Sequence, residues 1–206
     1  MKKLFFLTLL HLFLVAQVLS QPKYSIQING GLLMPNSNDK GLTANIQLNY
    51  LLGESVYLYF NSGISSWDKN IISYATGNRL PYTSYSEDDH LLIYFYTGIQ
   101  KNLKSVKTFN IYFTVDVGYN YLKYNKYKNI ILIDEDTKEL IKFDIEPGSG
   151  RRESKNLIGA GIGIGINNMM SENFGISVSG KMNNLFYLLK EPKTQYSIMV
   201  SFIFKI

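Results

Sequence analysis

Over residues 108–123 the chain alternates, faithfully as far as Tyr121. Phe109, Ile111, Phe113, Val115, Val117, Tyr119 and Tyr121 hold one set of positions, and Thr108, Asn110, Tyr112, Thr114, Asp116, Gly118 and Asn120 hold the other. A period of two sends successive side chains to opposite faces of a strand, so this stretch predicts one apolar and one polar face. Ordinary globular strands have about five or six residues, whereas roughly 9–11 tilted residues cross a bilayer. A strand of this length and pattern has to find partners of the same kind.

Seven further runs supply them. Residues 24–34 set Tyr24, Ile26, Ile28, Leu32 and Met34 opposite Ser25, Gln27 and Asn29. Residues 42–52 set Leu42, Ala44, Ile46, Leu48 and Tyr50 opposite Thr43, Asn45, Gln47 and Asn49. The runs 56–67, 90–101, 156–167, 174–183 and 195–206 continue the pattern, although the two faces of 90–101 are less distinct. The connections alternate between long and short, with every odd one longer than its even neighbours. The prediction is an all-β, eight-stranded antiparallel up-and-down transmembrane β-barrel with short periplasmic turns, long extracellular loops and both termini in the periplasm.

A secreted lipocalin-like barrel or a sandwich also has alternating strands. The polar faces argue against it, because they carry Ser, Thr, Asn, Gln, Gly and Tyr while the charges collect in the loops. A strand facing bulk water tolerates Lys and Glu, whereas a narrow lumen requires neutral groups that satisfy one another.

Residues 1–20 read as a cleaved signal peptide, with Lys2 and Lys3 before an apolar core and Val18 and Ser20 at the small-residue positions of a cut before Gln21. Residues 21–206 are the expected barrel domain. Losing Lys2 and Lys3 leaves 19 basic against 16 acidic residues, too small an excess to point to nucleic acid. The absence of cysteine excludes a lipoprotein anchor and a disulfide framework.

With the signal, the eight runs and the closing segment YSIMVSFIFKI, the chain resembles the small eight-stranded outer-membrane barrels of the OmpA and OmpX kind. The resemblance implies outer-membrane lipid as the surrounding phase. It also implies that Phe202, Phe204 and Ile206 act as the signal read by the barrel-assembly machinery. That family includes adhesins, structural anchors, narrow channels and lipid-modifying enzymes. The expected role is a non-enzymatic one, in adhesion, interaction or envelope structure through the loops. The alternatives are a rim enzyme acting on lipid or protein, and a narrow porin-like channel.

Candidate chemistry is sparse. The run from Gly159 to Gly165 lacks the G-x-G-x-x-G spacing of a nucleotide loop, and its glycines are expected to leave lumen space for Tyr57, Tyr94 and Tyr112. Asp116 and Lys181 are charges on inward positions well inside strands, and we expect them to pair across the glycine face. His90 follows Ser86-Glu87-Asp88-Asp89, a group that could supply a base at the rim. It lacks the spacing of the barrel hydrolases and is expected in a solvated acidic loop. No cofactor or structural metal is expected. Tyr50, Trp67, Tyr121 and Tyr196 are expected at the membrane interfaces as an aromatic girdle. Within 124–155, the segments 129–133 and 140–145 read as a hairpin that either extends the flanking strands toward a partner or folds over the mouth.

Overall fold

The computed structural model describes residues 24–35, 39–53, 55–68, 71–74, 84–106, 108–133, 140–186 and 193–206. The expected signal segment, residues 1–20, lies outside the described residues. The described residues form ten strands and no helix: β1 (Tyr24–Met34), β2 (Gly41–Leu51), β3 (Val56–Trp67), β4 (Ile71–Tyr74), β5 (Ser84–Val106), β6 (Phe109–Ile133), β7 (Leu140–Ile145), β8 (Arg151–Met169), β9 (Phe174–Phe186) and β10 (Lys193–Lys205).

Eight of these close on themselves. Each consecutive barrel strand pairs antiparallel with the next in the order β1, β2, β3, β5, β6, β8, β9 and β10, and β10 returns to β1 from Ser25↔Lys205 to Met34↔Tyr196. Closure leaves no edge within the wall, the condition a sheet must meet in lipid, where an unpaired N–H or C=O has no water to turn to. Tight connections sit at one end, where Leu52 N donates to Val56 O (2.8 Å) and Met170 N donates to Phe174 O (2.9 Å). Tyr24 and Ile206 meet at that same short-turn end through Ile206 N and Tyr24 O (3.0 Å).

The alternation becomes an exterior and a lumen. Ile28 is 50% exposed beside Gln27 at 4%, and Val117 is 57% exposed beside Asp116 at 2%. The outward set, including Leu42, Ile46, Phe60, Phe95, Ile164 and Phe202, makes a continuous apolar belt around the wall. In water so large a patch would drive association, whereas acyl chains solvate it. Inward stand Asn29, Asn45, Asn61, Thr114, Asn120, Ser177 and Ser201, all buried. The less distinct run 90–101 follows the same parity, with Leu92, Tyr94, Tyr96 and Gln100 inward.

Element lengths depart from the sequence reading at the long-loop end. The expected strand 90–101 is part of the 23-residue β5, and the expected strand 108–123, from residue 109 on, is part of the 25-residue β6. The region expected as a loop over 68–89 contains β4 and the start of β5, and that over 124–155 contains the end of β6, β7 and the start of β8. The wall therefore continues well past the apolar belt.

Candidate functional site

The lumen is filled in layers. At its centre Lys181 Nζ of β9 forms an ion pair with Asp116 Oδ2 of β6, and the Tyr59 hydroxyl donates to the same carboxylate. Asp116 has no exposed side-chain surface and Lys181 has 10%. The ammonium also lies 4.3 Å above the centre of the Tyr96 ring. The two charges reach each other because β8 between them carries Gly161. A Cβ there would come within 2.4 Å of Asp116 Oδ1 and 2.8 Å of Lys181 Cε.

The other glycines of β8 clear space in the same way, for Tyr112 as expected and for Tyr96 in place of Tyr57 and Tyr94. Gly165 faces Tyr112, whose atoms would lie 2.3 Å from a Cβ, and Gly159 faces the Tyr96 hydroxyl at 2.1 Å. Tyr94 instead packs over Gly63 of β3, and Tyr57 stands at the short-turn mouth. Strand tilt sets this, since a long inward side chain reaches across its immediate neighbours rather than straight across the lumen. Tyr94 accepts from Asn45 Nδ2 (3.1 Å) and bonds Thr43 Oγ1 (3.0 Å), Asn120 Nδ2 donates to Tyr96 (2.9 Å), and Tyr112 bonds Ser177 (2.9 Å). Cavities of about 20 and 30 Å³ flank the ion pair, each with space for a water or two.

Toward the long-loop end the lining turns apolar. Leu33, Trp67, Leu92, Leu122, Tyr124, Leu157 and Leu185 form a buried cluster. His90 is held within it between Trp67 (ring centres 5.0 Å apart, 14° between planes) and Tyr124 (5.4 Å, 8°). Only 3% of His90 is exposed, so the solvated acidic loop expected there is not what forms. Asp89, with φ of 52°, takes the extra residue of a bulge between Asp88 and Leu91. His90 keeps the inward parity of Leu92, Tyr94 and Tyr96, and the bulge marks where the β5–β6 pairing shifts register above them. Glu87 Oε2 lies 3.6 Å from His90 Nε2. The His90 imidazole, together with the charges of Lys155 and Lys193, holds the Glu87 carboxyl down at about 2 against the opposing effect of burial. Tyr124 donates to Glu153 (2.7 Å) under the ammonium of Lys155, 4.5 Å from the ring centre.

Beyond this plug β5 and β6 run on. β4 pairs with β5 from Ile71↔Glu87 to Tyr74↔Ser84, and β7 pairs with β6 from Asn129↔Ile145 to Ile133↔Leu140. The expected hairpin thus forms as a continuation of the β6 wall. The result is a staggered sheet in the order β4, β5, β6, β7, with no further described strand beyond β4 or β7. Lys128–Glu146 (2.7 Å) and Lys126–Glu153 (3.7 Å) brace its base.

Of the residues expected in an aromatic girdle, Tyr196 is 48% exposed on the outer face, and Tyr50 and Tyr121 are half-buried there. Tyr50 stacks on Tyr24 (5.0 Å), and Tyr121 lies 5.2 Å under Lys123 Nζ. Trp67 does not belong with them: it is 5% exposed and points into the plug. Its parity with Tyr59 and Asn61 on β3 already required an inward side chain. Tyr119, on the apolar face with Tyr121, is on the outer surface and donates to Asn156 (2.5 Å). Phe202 and Phe204 are outward and flank Phe174, with ring centres 6.3 and 5.5 Å away, and Ile206 is exposed at the strand's end.

A closed eight-stranded antiparallel wall with an apolar exterior and a polar, filled interior defines a small transmembrane β-barrel. The fold is that of the small eight-stranded outer-membrane barrels. Neisserial surface protein A is similar with a TM-score of 0.54 and 12% identity, over 89% of this chain and 97% of that one. A major outer membrane protein from Thermus thermophilus is similar with a TM-score of 0.55 and 10% identity, over 89% and 99%. At these identities the likeness is one of fold. No protein-family profile matches the chain, and no curated protein matches it in sequence.

Proposed function

We propose that this is a non-enzymatic outer-membrane barrel that serves as a mount for the sheet beyond its long-loop mouth, and that this sheet binds a protein partner outside the cell or in the envelope. The observation that carries the reading is the continuation of β5 and β6 past the plug, with β4 and β7 at the two ends of the sheet order. An open strand edge offers backbone donors and acceptors to an incoming strand, and the barrel below gives it a rigid support. In this reading 1–20 is removed on export, both termini lie in the periplasm, and the assembly machinery reads Phe202, Phe204 and Ile206.

The packed lumen counts against a channel. Catalysis at the rim has no accessible base in His90, which is enclosed by two aromatic rings. Replacing residues 130–144 by a tight turn is expected to leave a barrel that still shifts on heating in SDS while cells displaying it lose attachment or self-association. Unchanged attachment would count against the sheet, and loss of outer-leaflet lipid turnover in His90→Ala would favour an enzyme.

A further inference from the structure

We infer that the short-turn mouth, at the opposite end from the projecting sheet, is a binding site for a neutral polyhydroxylated ligand, a sugar ring or the end of a glycan. The mouth encloses a cavity of about 120 Å³, several times larger than those beside the ion pair. Cross-strand pairs build its wall: Tyr57 faces Gln100 between β3 and β5, and Asn110 faces Asn167 between β6 and β8. Amides dominate the lining, and its charged side chain is that of Lys205.

The decisive feature is what these amides lack. Some lining amides are satisfied within the chain, as where Gln47 Nε2 donates to Asn49 Oδ1 (2.7 Å) and Asn49 Nδ2 donates to Ser25 Oγ (3.1 Å) at one side of this mouth, and two amide oxygens deeper in the lumen, Asn61 Oδ1 and Asn183 Oδ1, lack a protein partner beside the much smaller cavity there. At the mouth, Gln100 Oε1, Asn102 Oδ1 and Asn167 Oδ1 are buried with no protein partner. Gln100 is 3% exposed and Asn167 is 8% exposed, so bulk solvent does not stand in for one. Buried polar groups are nearly always paired, and three acceptors converging on one cavity call for donors from outside the chain.

The lining selects the donor's chemistry. Among the described residues no carboxylate lines the cavity, and Lys205 repels cations, so a metal ion or an amine is disfavoured. A single exposed ammonium is a weak anchor for an anion. Hydroxyls fit best, since each both donates and accepts and so suits either end of an amide. Several of them on one ring replace several ordered waters in a single binding event, and the Tyr57 ring offers an apolar surface for the ring's C–H face.

The test uses the full barrel without its signal segment, folded in a phosphocholine detergent that carries no sugar headgroup. Side-chain amide resonances of Gln100, Asn102 and Asn167 are followed by NMR during titration with N,N′-diacetylchitobiose and, separately, maltose. Saturable shifts with either disaccharide are expected, weakened at least about tenfold by Asn167→Ala or by Asn102→Ala, each checked for folding by its heat shift on SDS gels. Linear, non-saturating shifts with both sugars, equal shifts with glycerol, or undiminished binding in both folded variants overturns the site.

Discussion

Taking the carboxylate of Asp116 out of water costs several kcal/mol unless a cation and hydrogen-bond donors replace the solvent, and Lys181 and Tyr59 do so here. The pair depends on a third residue with no side chain. Gly161 leaves open the volume the two charged groups cross, so the geometry is fixed by all three positions. Asp116→Asn keeps the shape but leaves the Lys181 ammonium buried without a counter-charge. It is expected to lower stability by about 3–5 kcal/mol, read as a lower urea midpoint of the folded barrel. Adding Lys181→Met to that variant should recover most of the loss, because an apolar side chain no longer needs a partner. A single variant with the wild-type midpoint would show that the pair contributes nothing.

At the scale of the element, β5 changes character at its bulge. Below Asp89 it is a wall strand, and above it Glu87 is tied to His90 and to the positive field of Lys155 and Lys193. The Glu87 carboxyl is depressed from its ordinary 4.5 to about 2, so the folded state binds fewer protons than the unfolded one between these values. Its contribution is fully present above about pH 4.5 and is lost as pH falls toward about 2. Trp67 stacks on His90 in the plug and is the only tryptophan, so its fluorescence reports on this region. Urea midpoints followed at Trp67 should fall with acid across that window, with a shallower fall in Glu87→Gln. Identical slopes in the two proteins would remove Glu87 from the account.

The same element shows where sequence was informative. Parity was legible throughout the wall, because lipid outside and a polar lumen inside force opposite chemistry onto alternate residues, as in Phe113 beside Thr114. Beyond the membrane that contrast ends. Residues 84–89 and 124–128 are polar on both faces, so nothing in them marked β5 and β6 as continuing. The bulge was equally silent, since Asp89 in a left-handed conformation carries no local signature such as glycine. Trp67 was misplaced for another reason: residue type suggested an interface, and parity, the stronger signal, was set aside. At the short-turn mouth Asn49 and Asn110 were legible as polar-face residues, whereas Asn102 fell in the expected connection beyond residue 101, and which amides lacked partners depended on cross-strand register.

For the molecule as a whole, two barriers of different chemistry stand in series along the lumen. The first is the apolar plug around Trp67, His90 and Tyr124, and the second is the layer of Asp116, Lys181, Tyr59 and Tyr96 deeper inside. The cavities beside the second layer have room for a water or two each, far short of a hydrated ion's continuous path. Reconstituted in planar bilayers, the protein is therefore expected to give no discrete conductance steps. Because the barriers are in series, Tyr124→Ala alone should remain silent even if it loosens the plug. Combining it with Tyr59→Ala and Tyr96→Ala, which empties the deeper layer, is the change expected to admit ions. Regular steps from the wild-type protein, or from Tyr124→Ala alone, would show that the deeper layer does not seal, and would move the barrel from a support for its surface sheet to a channel.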